Sequence, residues 1–255
     1  MSSHDNLLSL KGLTVQFGGL TAIKDLSFEV KRGTVHALIG PNGAGKSTTF
    51  NCISRYYDPT QGSIRFDGTD ITHRRADEMA GMGVARTFQN LELFNELSVL
   101  ENVLLGTYSH GARGLRKVLR APAVETREFA EHLLQRVGLI DYRHHFAKGL
   151  DFGRQKMLEL ARAMAIRPKL LLLDEPAAGL RNREIDALDS ILTELAGKEG
   201  MTILLVEHVM QLVMSISERI TVMSFGQKIA EGTPQEIRSN EKVIEAYLGK
   251  GGAHD

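Results

Sequence analysis

The sequence predicts an α/β nucleotide-binding fold: a largely parallel sheet that carries a phosphate loop and is interrupted by a helical insertion. Three observations predict it. The loop Gly40-Pro41-Asn42-Gly43-Ala44-Gly45-Lys46-Ser47-Thr48 follows the apolar run Val35–Ile39 and precedes a helical stretch, the strand–loop–helix context that a phosphate-binding motif requires. Two later runs, Leu170–Leu173 and Thr202–Val206, are short and apolar, as strands covered on both faces are. Between them, residues 183–197 can supply the helical crossover that parallel neighbours need.

The elements follow in order. Leu13–Phe17, Leu26–Val30 and Val35–Ile39 read as strands separated by Gly18-Gly19 and Gly33, and Ser63–Phe66 is a further strand between Gly62 and Asp67-Gly68. Residues 91–165 read differently. Ser98-Val99-Leu100-Glu101 is a capping box that starts a helix. Pro122 opens a second helix, whose Phe129, Leu133 and Val137 repeat at four-residue spacing up to Gly138. A third runs from about Arg154, with Met157, Leu160, Ala161 and Met164 on one face, and ends before Pro168. Near the end, Arg219–Ser224 and Lys228–Ala230 can pair around Phe225-Gly226. Residues 1–90 and 166–255 are therefore expected to form the nucleotide-binding core, with 91–165 as a helical subdomain within one domain.

Composition excludes several classes. The 255 residues carry 31 basic and 31 acidic side chains, and a net charge of zero argues against a chain that holds nucleic acid by bulk electrostatics. The single cysteine, Cys52, rules out an intramolecular disulfide framework and suits a reducing compartment. Met1-Ser2-Ser3-His4-Asp5 lacks the basic start and apolar run of a secretory signal. No apolar run approaches the ~20 residues of a membrane-spanning helix. The expectation is a cytosolic chain that depends on another subunit for any work in a membrane. Gly81-Met82-Gly83 lacks the third glycine of a dinucleotide fingerprint. His144-His145 has no further ligand at metal spacing.

The phosphate loop explains itself chemically. Its glycines let successive N–H groups point inward at phosphate oxygens, and the following helix start adds partial positive charge. Lys46 can reach the β- and γ-phosphates of a nucleoside triphosphate, and the Ser47 hydroxyl can ligate Mg²⁺. The run Leu170–Leu173 delivers Asp174 and Glu175 at a strand's carboxyl end, where ligands bind in open α/β sheets. Asp174 suits the Mg²⁺ shell, and Glu175 can hold an attacking water and accept its proton.

With these two halves in place, the chain resembles the ATP-binding-cassette (ABC) ATPases over nearly its whole length. The resemblance implies an ABC-type domain with an amino-terminal antiparallel β region and a helical subdomain, using ATP and Mg²⁺. It implies that Phe17 stacks on adenine. It places Gln89, within Arg86-Thr87-Phe88-Gln89-Asn90, between the metal site and the membrane partner, and gives it a part in catalysis. It makes His208, 33 residues past Glu175, the switch histidine on the γ-phosphate. The family signature aligns with Leu150-Asp151-Phe152-Gly153-Arg154-Gln155, so Leu150, Asp151, Phe152 and Gly153 would meet the nucleotide of a partner subunit.

Two positions depart from the pattern. Asp151 stands where serine is usual; it brings a carboxylate toward a phosphate or simply caps the helix. Arg181 ends the loop Ala177-Ala178-Gly179-Leu180-Arg181, where Asp or Asn is usual.

The finer resemblance is to ATPase subunits of branched-chain amino acid importers. It rests on Val15–Leu20, on Arg86–Asn90, on Asp174–Leu180, on the tail Ile229–Pro234 and Ala246–Gly249, and on a long stretch from Tyr108 to Glu128. It implies a second ATPase subunit, identical or different, two transmembrane permease subunits, and indirectly a periplasmic binding protein, at the cytoplasmic side of a bacterial inner membrane. Cassettes for urea, other amino acids or lipopolysaccharide, and soluble cassettes of assembly pathways, share the nucleotide motifs and remain alternatives. Leu91, Leu93, Phe94 and Leu97 form either ordinary core or a socket for a membrane-subunit helix. The basic run Arg113, Arg116, Lys117 and Arg120 reads as a solvated face or a contact for anionic lipid.

Overall fold

The computed structural model describes residues 5–107 and 124–248. Two long strands, β1 (Asn6–Phe17) and β2 (Leu20–Lys31), pair antiparallel from Asn6↔Lys31 to Phe17↔Leu20. Both are longer than the alternation in the sequence suggests. The ladder continues through register irregularities around Gly12 and Asp25, both at positive φ, where bulges break the period-2 pattern without ending the pairing.

Strand β3 (Val35–Ile39) feeds the phosphate loop and helix α1 (Lys46–Ile53). Strands β4 (Gln61–Phe66) and β5 (Thr69–Asp70) complete an antiparallel sheet of order β2-β1-β4-β5. A short helix α2 (Ala76–Met82) leads into β6 (Val84–Arg86). Three helices follow: α3 (Val99–Thr107), α4 (Val124–Arg136) and α5 (Phe152–Met164). The capping box that starts α3 is formed, with Glu101 accepting from both the Ser98 backbone and hydroxyl. Pro122 and the basic run 113–120 lie outside the described residues. Helix α5 begins two residues before the predicted Arg154, because Asp151 is its N-cap.

The chain then returns to the sheet through β7 (Leu170–Asp174), α6 (Asn182–Gly197), β8 (Thr202–Val206), α7 (Met210–Ile216), β9 (Arg219–Ser224) and β10 (Gln227–Gly232). Helices α8 (Pro234–Arg238) and α9 (Glu241–Leu248) follow. The second sheet has the order β10-β9-β3-β8-β7-β6 and is parallel except for the β9–β10 hairpin.

The central strands are apolar throughout because both of their faces are covered. Ala37, Leu171, Leu173, Ile203 and Leu205 face a core shared with α3, α4, α5, α6 and α7. Their alternates Leu38, Leu170, Leu172, Leu204 and Val206 face a second core shared with α1 and the antiparallel sheet. The parallel register sets Leu38 and Asp174 against Val206, and Arg86 against Leu172. The carboxyl ends of β3, β6, β7 and β8 therefore line one edge, and the phosphate loop and the loops that carry Gln89, Glu175 and His208 leave from it.

Candidate nucleotide-binding site

The phosphate loop starts from a backbone position open only to glycine. Gly40 has φ 152°, and a Cβ there would sit 2.1 Å from the Met223 carbonyl oxygen of β9. Lys46, at the start of α1, folds over the loop and donates from Nζ to the carbonyls of Gly40 at 2.7 Å and Pro41 at 2.9 Å. Its ammonium is thus held inside a ring of backbone where phosphate oxygens would compete for it. Burial pulls the Lys46 pKa down from its ordinary value, and the nearby Glu175 and Asp174 carboxylates oppose that pull. Ser47 is exposed on the same turn, and Asn42 and Gly43 are exposed at the loop's crest.

At the end of β7, Asp174 is buried and its Oδ2 accepts from the Arg86 guanidinium at 2.9 Å. Burial pushes the carboxyl pKa up, although Arg86 opposes it. The other oxygen, Oδ1, is buried without a hydrogen-bond partner, which is costly unless a cation or donor completes it. Glu175, one residue on, adopts φ 50°, a left-handed conformation that costs a side-chain-bearing residue about 1–2 kcal/mol. Its N–H still bonds to Val206 of β8 at 2.8 Å. The twist turns the carboxylate toward the edge, where its Oε2 accepts from Gln89 Nε2 at 3.1 Å. His208 Nδ1 lies 3.9 Å from the same oxygen, with the ring largely exposed. Gln89, Glu175 and His208 therefore converge on one point, with Lys46 and Asp174 close enough for charge coupling.

The predicted signature residues sit elsewhere. Asp151 Oδ1 accepts from the Arg154 backbone N–H at 2.9 Å, and Oδ2 pairs with the Arg154 guanidinium. Of the two sequence readings of Asp151, capping is thus realised. Gly153 lies so close to α6 that a Cβ would come within 2.4 Å of Glu184 Oε1. The Phe152 ring approaches Gly179 in the loop after Glu175. The start of α5 is tied to that loop. Phe17 is 46% exposed and meets Tyr57 edge-on, with ring centroids 5.3 Å apart. Arg181 is exposed and precedes α6, where its backbone N–H is capped by Glu184. Cys52 is buried in α1, and burial pushes its thiol up to about 11, consistent with a packed side chain.

Four residues that sequence reasoning left without a role support this edge. Arg86 joins Asp174 to Asn51 and Ser54 of the α1 segment, at 2.7 Å each. Glu207, with its side chain fully buried, accepts from the N–H groups of Ala177, His208 and Val209. Lys156 and Glu159 of α5 are buried beside the apolar stripe Met157, Leu160, Ala161 and Met164. Two charges bordering an apolar face were the available signal. Of the predicted socket residues, Leu93 packs on the core, whereas Phe94 is 53% exposed. Phe94 joins Leu105, Arg162 and Ile166 in lining a groove of about 350 Å³ between α3 and α5.

Among the described residues, no helix is long and apolar enough to cross a membrane. Comparison with known proteins agrees with the geometry. The family described as "ABC transporter" matches residues 23–178, and that described as "Branched-chain amino acid ATP-binding cassette transporter" matches residues 227–253. The chain is 44% identical over 250 residues to the high-affinity branched-chain amino acid transport ATP-binding protein BraF of Pseudomonas aeruginosa, covering 96% of this chain and 98% of that one. It is 43% identical, with the same coverage, to the protein of that description, LivG, of Escherichia coli. Among solved structures, the ADP conformation of an ATP-binding cassette of an ABC transporter superposes with a TM-score of 0.85 at 32% identity, covering 96% of this chain and 99% of that one. A dimeric bacterial ABC transporter cassette superposes at 0.79 with 27% identity, covering 89% and 98%. A phosphate loop, a strand-end carboxylate pair and a convergent glutamine and histidine, on a sheet that superposes on these cassettes, make the chain a member of the ABC transporter family, as one of its ATP-binding cassettes.

Proposed function

We propose that this chain is the ATP-hydrolysing motor subunit of a membrane importer for branched-chain amino acids. The observation that carries the hydrolytic reading is the convergence of Gln89, Glu175 and His208 beside Lys46 and Asp174. Likeness at 43–44% identity to BraF and LivG supports the substrate class. On this reading the loop from Gly40 to Thr48 wraps the phosphates with its N–H groups, and Lys46 exchanges its carbonyl partners for β- and γ-phosphate oxygens. Phe17 offers its exposed ring to adenine. Glu175 orients a water for in-line attack and takes its proton, Gln89 steadies that carboxylate, and His208 faces the γ-phosphate.

The residues present fit a divalent cation, because Asp174 Oδ1 is buried and lacks a partner while Arg86 steadies the other oxygen. Asp174, Ser47 and Gln89 would hold Mg²⁺. Bound there, Mg²⁺ supplies charge neutralisation on the phosphate oxygens.

The signature segment Leu150–Gly153 presents the start of α5 to the nucleotide of a second cassette, so two subunits enclose two ATP molecules head to tail. Binding favours the closed pair and hydrolysis reopens it. Two permease subunits then dock from the membrane, with the groove at Phe94 and Arg162 receiving one of their helices. This places the chain on the cytoplasmic face of a bacterial inner membrane, with a periplasmic binding protein acting on the far side.

Glu175→Gln protein, recovered with ATP and Mg²⁺ from gently solubilised membranes of its native host, tests the assembly. Recovery with a second cassette and two polytopic membrane proteins is the expected outcome. A branched-chain amino acid binding protein stimulating turnover of the wild-type assembly would name the substrate. Recovery from the soluble fraction with non-membrane partners would overturn the transport reading.

A further inference from the structure

Helix α5 carries two buried charges to which the nucleotide chemistry described above gives no part. Lys156 is 6% exposed and Glu159 is 2% exposed, one turn apart on the same helix. A buried charge is costly unless its partners repay the desolvation, so where these side chains direct their hydrogen bonds is informative. Lys156 Nζ donates to two carbonyls, those of Gln89 and Glu175, at 3.4 Å each. The Glu159 carboxylate accepts at 3.1 Å from the N–H of Phe88, the residue next to Gln89 in the same loop. Together the two side chains touch the backbone of the glutamine loop and of the glutamate that its side chain contacts. Their helix begins at Asp151 and Phe152, the end that packs on the loop after Glu175.

We propose that Lys156 and Glu159 are positioning residues for hydrolysis: a two-pronged clamp through which α5 sets the Gln89 loop against Glu175. Because both prongs leave one rigid helix, a shift of α5 moves the Gln89 and Glu175 backbones together. Release of either prong lets the Gln89–Glu175 contact drift, while the phosphate loop on β3 and α1 stays as it is. The clamp therefore acts on turnover and not on the phosphate loop's own grip on the triphosphate. The inference rests on the hydrolytic reading above for its kinetic consequence, but its structural content is independent of that reading.

The test uses full-length Lys156→Met, Glu159→Ala and Glu159→Gln, the last keeping an acceptor oxygen for the Phe88 N–H. Lys156→Met and Glu159→Ala should lower kcat about tenfold or more, since misplacement of a reacting group by about 1 Å is costly. Affinity for a fluorescent ATP analogue measured without Mg²⁺ should stay within about twofold, because neither side chain touches the phosphate loop and Gln89 then holds no metal. Glu159→Gln should recover most of the lost rate. Backbone amides of residues 86–92 should exchange with deuterium faster in Glu159→Ala, with β3 and β8 unchanged; loss of protection in those strands would mark a folding defect, and Lys156→Met then decides. Wild-type kcat in both disruptive variants, or a fall in that Mg²⁺-free affinity matching the fall in kcat, would overturn the clamp. If wild-type protein binds ATP but never turns it over within its assembly, the hydrolytic reading fails. Exchange at 86–92 then decides the clamp alone, and unchanged exchange in Glu159→Ala refutes it.

Discussion

Glu207→Ala is the sharpest test of how the site is held, because its cost can be worked from contacts. The side chain is fully buried, with Oε1 accepting from Ala177 N at 2.7 Å and Oε2 from His208 N at 2.7 Å and Val209 N at 3.1 Å. One carboxylate therefore ties the loop after Glu175 to the loop that carries His208. Alanine orphans three donors. The Ala177 N–H is buried and bears the full penalty, whereas the other two lie part-buried, where water can substitute. At about 1–3 kcal/mol for an orphaned buried donor and less for the wetter pair, the loss is about 3–5 kcal/mol. In a chain of this size that lowers Tm by about 10 °C. Urea titration followed by circular dichroism measures the loss directly. Glu207→Gln keeps the volume but turns one acceptor into a donor, so it should show about half the effect without a cavity contribution. A Glu207→Ala protein within about 1 kcal/mol of wild type, at an unchanged urea slope, would refute the claim that this carboxylate organises the edge.

Other outcomes follow from the same geometry. Lys46→Ala should abolish productive ATP binding, read by equilibrium binding of a fluorescent analogue, and normal affinity would remove the loop from its role. His36, buried with Nε2 2.9 Å from the Thr221 hydroxyl, has its pKa lowered to about 4, chiefly by burial, with Arg219 and Lys228 adding to that and Glu231 opposing it. The unfolded chain then binds the proton first, so stability is full above about pH 6.5 and is lost as pH falls toward 4, by about 3 kcal/mol in all. His36→Gln should flatten that dependence in urea titrations at pH 4 to 7, and an unchanged slope would exclude His36 as its source. Asp151→Ser keeps an N-cap but frees Arg154 from its ion pair, so helix stability should fall by less than about 1 kcal/mol while ATP turnover reports the local charge. A turnover rate unchanged by that substitution would mean that the charge at 151 does not reach the nucleotide.

How legible the molecule was depended on how local each signal is. The strand β8 was readable to the residue and β7 to within one, because a run buried on both faces announces itself by composition alone. Strands β1 and β2 were read short because Gly12 and Asp25 interrupt the alternation at bulges, and a bulge is a feature of two strands rather than one. Strand β6, of three residues, has no period to detect; its place is set by pairing with Leu170–Leu172. The same division runs through the site. Lys46, Asp174 and Glu175 lie in motifs whose chemistry follows from spacing. Arg86, Lys156, Glu159 and Glu207 are defined by partners 19 to 88 residues away on other elements, except where Glu207 also caps its own neighbours. No window along the chain holds both ends of such contacts.

Asp151 shows why a departure from a family pattern has to be weighed against what its charge already touches. Taken alone, a carboxylate in the signature turn is a repulsive neighbour for a phosphate. In place, one oxygen receives the Arg154 N–H and the other the Arg154 guanidinium, so the pair presents little net charge and the cap is stronger than a hydroxyl would supply. The cap consumes only one of the orphan donors at the helix start, and the N–H groups of the first two helical residues, Phe152 and Gly153, precede any intrahelical bond. Those donors are the ones an anion would use, and Gly153 lies against the Glu184 carboxylate without room for a side chain. The substitution thus shifts the work of neutralising charge from the ligand to Arg154. On the proposed reading, a phosphate brought to that turn would compete for Arg154 rather than meet an unpaired carboxylate, so serine and this Asp–Arg pair are two ways of capping the same helix.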